Sequence, residues 1–141
     1  MDCSQLYIST VSAGCDETAA RYGLGLEIAE YCTAANLDVP IPEVVTAAQC
    51  HRQAAKRFVF HAPFNELCPA AIDPLAVSLA RHRYAQALAA AQDWGCRLLV
   101  VHTGFIPWVY YPEWFVEKSV EFWREFLPQV PEGMVLCLSL I

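Results

Sequence analysis

The chain has 141 residues, a formal net charge of −6 and a pI near 5.1, which excludes the basic face typical of phosphate-backbone binders. That length allows one domain with a sizeable core. The 56% hydrophobic share and mean hydropathy of +0.30 exceed the usage of about 45–50% typical of soluble domains. Strands buried on both faces produce such an excess, and so does a surface that meets another subunit. Cys3, Cys15, Cys32, Cys50, Cys68, Cys96 and Cys137 form no CxxC pair and are odd in number. They read as free thiols of a reducing cytoplasm rather than a disulfide framework or zinc ribbon. Met1-Asp-Cys-Ser-Gln5 lacks a basic leader, and no apolar run reaches the ~20 residues needed to span a bilayer. A cytoplasmic location without membrane contact is therefore expected.

Strand and helix signals alternate along the chain. Leu6–Thr10 reads as a first strand, followed by a short helix over Asp16–Tyr22 that Gly23 stops. Gly25–Tyr31 reads as a second strand, and Asp38–Pro42 as a turn whose proline opens a helix to about Lys56. Phe58–His61 is the third strand. Asp73-Pro74 is an N-cap with a first-turn proline, starting a helix that runs to Trp94 and ends at Gly95. Its apolar stripe is Val77, Ala80, Tyr84, Leu88 and Ala91. Arg97–Val101 is a continuous apolar run suited to a buried parallel strand. Pro112 opens a last helix, with Phe115 or Val116, Val120, Trp123 and Leu127 expected to face inward, and Met134–Leu138 is the fifth strand.

This order is α/β with a parallel sheet. Two architectures satisfy it: an open doubly wound sheet, or part of a (β/α)8 barrel, which needs about 250 residues and would here be cut just past half. Two strands end in a histidine, in Phe58-Val-Phe-His61-Ala-Pro-Phe64 and Leu98-Leu-Val-Val-His102-Thr-Gly104. Consecutive parallel strands point the same way, so both imidazoles emerge on one rim, where such folds place their chemistry.

His61-Ala-Pro-Phe64 resembles the HAP motif of the xylose-isomerase-like TIM barrels, which include sugar-phosphate isomerases and epimerases and the endonuclease IV type of apurinic endonuclease (AP endonuclease family 2). Val100-Val-His-Thr-Gly104 is similar to their second histidine motif, and Gly25-Leu-Glu-Ile-Ala-Glu30 to their GxE second strand. The likeness runs from Leu6 to about Leu138, and the order and spacing of the motifs are more specific than any one of them. In the endonuclease branch, the resemblance implies that the two histidines bind metal and that a glutamate ending strand five bridges the ions. In the epimerase branch, that glutamate is a metal ligand, and residues of strands three and four line the sugar pocket. Here Leu136-Cys-Leu138 matches the fifth strand, but Ser139 stands where the glutamate is expected. The later ligands of strands six to eight have no residues to map onto. The expectation is thus a truncated (β/α)8 TIM-barrel-like domain over residues 1–141.

On this reading His61 and His102 are the metal ligands, for zinc, manganese or magnesium. Two ligands are fewer than the three a catalytic site generally uses. Glu66 after the third strand, Glu30 after the second, or a partner chain would add a carboxylate for catalysis. Glu27 and Glu30 have odd spacing and point to opposite faces of an extended strand, and Glu30, nearer the rim, is preferred for the pocket. His51 and His82 lie in polar helical segments and are expected to be solvated. Phe64, Trp108 and Tyr110 are candidate substrate-pocket residues; the aromatic run Phe105–Phe115 either walls that pocket or packs on the sheet end or a neighbour. A serine or cysteine nucleophile stays open, although no GxSxG elbow, P-loop or dinucleotide fingerprint is present.

The implied activity is metal-assisted isomerisation or epimerisation of a sugar or sugar phosphate if the site is completed elsewhere, with this chain alone lacking turnover. One alternative is a non-catalytic scaffold. Another is an endonuclease IV-like phosphodiesterase, which the acidic charge and Ser139 disfavour. Open strand edges and the uncharged Met134–Ile141 segment predict a homodimer or higher oligomer.

Overall fold

Short runs of aliphatic and aromatic residues form five parallel strands in the computed structural model, which describes residues 3–139. They are β1 (Tyr7–Ser9), β2 (Gly25–Ile28), β3 (Phe58–His61), β4 (Leu98–His102) and β5 (Val135–Ser139), in the order β1-β2-β3-β4-β5. Every neighbouring pair is parallel. The connecting helices are α1 (Cys15–Tyr22), α2 (Ala35–Asp38), α3 (Pro42–Ala54), α4 (Pro74–Asp93) and α5 (Pro112–Phe126). None of them is long and apolar enough to cross a membrane.

The sequential strand order decides between the two architectures. A doubly wound sheet reverses its strand order at a switch point, whereas right-handed crossovers between successive strands keep all helices on one face. This sheet has no reversal, so it has the strand order of a barrel wall rather than of an open doubly wound sheet.

Alternation along the strands divides the residues. Leu26, Ile28, Phe60, Leu99 and Val101 face the helices and are fully buried. Tyr84 of α4 is their central partner: its ring stacks on Trp123 at 5.6 Å and meets Phe126 edge-on. Its hydroxyl donates to the His102 carbonyl at 2.9 Å, which ties the long helix to the tip of β4. Side chains of this size contribute roughly 1.5–3 kcal/mol each on burial, so this cluster dominates the stability of the sheet–helix layer.

The helix signals act as the sequence suggests. The Asp73 side chain accepts from the Leu75 amide at 2.8 Å, and Pro74 occupies the first turn. Two expectations are corrected. The second strand ends at Ile28 rather than Tyr31, because Glu30–Cys32 turns into a short 3-10 helix. In α5 the buried residues are Phe115, Phe122, Trp123 and Phe126, while Val116, Val120 and Leu127 are exposed. Large aromatic rings claim the sheet-facing side, and the smaller aliphatics turn to an apolar cleft of about 570 Å³ shared with Phe105 and Leu138. No disulfide joins any two of the seven cysteines.

Candidate functional site

Register sets which side chains share the face opposite the helices. Ser9 pairs with Glu27, Glu27 with Val59, His61 with Val100, and His102 with Ser139. Residues paired across parallel strands, and residues two apart on one strand, point to the same side. Ser9, Glu27, His61, His102 and Ser139 therefore form one polar row toward the C-terminal rim.

Within that row the two histidines meet. His61 Nε2 lies 3.1 Å from His102 Nε2. The other nitrogen of His61, Nδ1, is 2.9 Å from the Ala62 carbonyl oxygen. A carbonyl only accepts, so Nδ1 carries the hydrogen, and in the neutral ring Nε2 keeps its lone pair toward His102. Burial and the neighbouring His61 hold His102 below the usual histidine pKa, partly offset by the Glu27 carboxylate. Phe64 stacks on the His102 ring at 4.5 Å and 16° and meets His61 edge-on at 5.5 Å.

Cys32 Sγ stands 3.2 Å from His61 Nδ1, the arrangement of a cysteine–histidine nucleophile pair. Its thiol, however, is pushed up to about 12 by burial and then by the charges of Glu27 and Glu30. It stays protonated at neutral pH, and Cys32 acts as packing behind His61 rather than as a nucleophile.

The other residues singled out in the sequence fall in different places. Glu27, not Glu30, shares the face of His61 and His102. Glu30 lies past the end of the strand and hydrogen-bonds His51 Nε2 through Oε1 at 3.0 Å. His51 is correspondingly not solvated: it is buried, with Nδ1 2.7 Å from Asp16 Oδ1. Burial works against its charge, yet the two carboxylates together hold its pKa above the usual histidine value. His82 is exposed, as expected. Glu66 is exposed in the loop after β3, at φ 59.

Trp108 is fully exposed, at φ 69. Tyr110 stacks on Trp114 at 6.0 Å, and the neighbouring Cys68, together with burial, raises its pKa. Phe105, Pro107, Trp108, Val109, Tyr110 and Tyr111 surround an open hollow of about 520 Å³. Neither rim histidine lines that hollow, so the aromatic run and the histidine pair are separate features.

No protein-family model matches the chain, and no curated protein matches it. Solved structures do. The TTHB071 protein from Thermus thermophilus, soaked with ZnCl2, aligns at a TM-score of 0.62 and 22% identity, over 97% of this chain and 55% of its own. A D-tagatose 3-epimerase-like protein aligns at 0.69 and 20%, over 94% of this chain and 51% of its own. The D-psicose 3-epimerase from Clostridium cellulolyticum H10, solved with D-tagatose, aligns at 0.68 and 20%, over 96% and 49%. This chain shares the fold of these neighbours and spans about half of their length.

Proposed function

We propose that the rim of this sheet is a divalent-cation site of the kind that serves isomerisation or epimerisation of a sugar or sugar phosphate. His61 and His102 are its ligands, and Glu27 is its proton-handling carboxylate. The carrying observation is the 3.1 Å approach of the two Nε2 atoms, with His61 Nδ1 committed to the Ala62 carbonyl. Two bonds of about 2.0–2.1 Å to one ion bring imidazole nitrogens to roughly 3 Å, so the pair fits a cation. Imidazole donors favour zinc over magnesium, which prefers oxygen ligands.

Such an ion, when bound, polarises a sugar carbonyl or hydroxyl. The side chains do the rest. Phe64 covers one face of the His102 ring and screens it from water. Glu27 lies near enough for its charge to act on His102 and is placed to take or return a proton. The fold shared with a D-psicose 3-epimerase solved with D-tagatose, and with a protein soaked with ZnCl2, supports this reading.

Ser139 is the register partner of His102, where the resemblance places a ligating glutamate. Two histidines alone make a weak site, so the chain binds metal and sugar, and turnover requires a further carboxylate. Ser139→Glu is expected to tighten zinc binding by about 10-fold or more, since it adds an anionic ligand beside the pair. Calorimetric titration with zinc checks this; unchanged affinity contradicts the assignment. Incubating the zinc- or manganese-loaded chain with D-tagatose or a ketose phosphate then tests the substrate class. Saturable binding that depends on His61 and His102 supports it, and no binding at millimolar sugar rejects it.

The proposal includes self-association, with a second copy covering the apolar cleft lined by Val116, Val120, Leu127 and Leu138. A second copy is the matching occupant because these aliphatics are exposed together and form one self-complementary apolar face. Sedimentation at micromolar concentration is expected to show a dimer or larger species that Val120→Lys dissociates. A monomer under those conditions contradicts it.

A further inference from the structure

We propose that Cys15, Asp16 and His51 form a second divalent-cation site, between α1 and α3, with Glu30 as the carboxylate that orients His51. Three parts of the chain converge there: the first turn of α1, the last turn of α3, and the turn that follows β2. One ligand atom from each of Cys15, Asp16 and His51 lies within 4.8 Å of the others. The site is largely enclosed, the His51, Glu30 and Asp16 side chains being 6%, 17% and 27% exposed.

The hydrogen-bond count shows what the cluster lacks. His51 offers at most two N–H donors, and they meet Asp16 Oδ1 and Glu30 Oε1. The second oxygen of Glu30 is buried without a partner among the described residues. A buried acceptor of this kind adds negative charge that nothing beside it offsets, which favours a cation close by. Two carboxylates around one imidazole also leave the cluster net negative even with His51 charged. Cys15 Sγ adds a third polarisable group, with only long contacts to the Thr10 carbonyl at 3.8 Å and to Asp16 Oδ1 at 4.0 Å.

Thiolate, imidazole and carboxylate are a donor set for zinc or cobalt. The Glu30 contact to Nε2 is the outer carboxylate that commonly fixes the tautomer of a metal-bound histidine, leaving Nδ1 for the ion. The ion takes the place of the proton between His51 Nδ1 and Asp16. On binding, the Cys15 thiol proton and the His51 Nδ1 proton pass to solvent, the sulfur and nitrogen lone pairs form bonds to the ion, and no electrons change owner. The burial and neighbouring carboxylates that raise the Cys15 thiol become an advantage once a cation neutralises those charges.

Cobalt(II) titration of the full chain carrying His61→Ala and His102→Ala isolates this site from the rim. The expected result is one cobalt per chain with a near-ultraviolet thiolate-to-cobalt charge-transfer band. Cys15→Ser abolishes the band, and His51→Gln weakens cobalt binding by about 100-fold or more, each variant checked for folding by circular dichroism. In the Cys15-intact chain, cobalt also slows alkylation of Cys15 relative to the exposed Cys50, a readout that survives if a variant fails to fold. No band, a band that persists in Cys15→Ser, or Cys15 alkylation unchanged by cobalt overturns the proposal.

Discussion

Replacing either rim histidine by alanine is expected to weaken zinc binding at the rim by at least about 100-fold. Even partners that only orient a ligand cost 10–100-fold when lost, and here a ligand itself is removed. The effect should exceed that of any single substitution in the aromatic run, because neither His61 nor His102 lines the hollow formed by Trp108 and Tyr110. The two variants differ in their side effects. His61→Ala also removes the contact to the Ala62 carbonyl and to Cys32 Sγ, whereas His102→Ala removes the ring on which Phe64 stacks. The main chain of His102 still accepts from Tyr84, so the tip of β4 keeps its anchor in either variant. Zinc titration at neutral pH, where His102 is uncharged because its pKa is lowered, checks the prediction in chains that also carry Cys15→Ser, so that only the rim is read. Alanine variants that bind as tightly as the parent contradict it.

Gly104→Ala is expected to destabilise the fold by about 3 kcal/mol or more, the largest loss predicted for a change this small. The residue sits at φ +71, a left-handed conformation that costs an alanine about 1 kcal/mol by itself. An added Cβ would also lie 2.5 Å from the Leu67 carbonyl oxygen and 2.9 Å from Cys68 Cα. These are backbone atoms next to the buried Leu67, with little room to retreat. The loop after β4 is thus keyed into the loop after β3, the loop that carries Phe64. Urea unfolding should show a lower midpoint, and zinc affinity should fall with it as Phe64 shifts against His102. An unchanged midpoint would mean that the two loops are not interlocked.

Much of the frame was legible in the residues. Asp73-Pro74 and Gly95 bracket α4 because capping chemistry is local, and the apolar runs ending in His61 and His102 mark their strands directly. Their shared rim followed from parallel pairing alone. The strand order, by contrast, needed either the motif resemblance or the structure, since periodicity is the same in both architectures.

Parity failed at Glu30 because alternation holds only while the chain stays extended, and the chain turns after Ile28. His51 was hidden for another reason. Its neighbours in sequence are polar, and the two carboxylates that enclose it come from 35 and 21 residues away. In α5, apolar side chains occur on more than one face, so spacing could not rank Phe122 and Phe126 above Val116 and Val120. Packing volume made that choice: the rings fill the layer against Tyr84, and the aliphatics are left at the cleft.

The most direct test of the rim assignment is anomalous diffraction at the zinc edge from crystals soaked in zinc. A peak within bonding distance of both His61 Nε2 and His102 Nε2, lost in His102→Ala, is the predicted result. A zinc-soaked crystal with no peak between these two nitrogens would contradict the metal site and the sugar chemistry built on it.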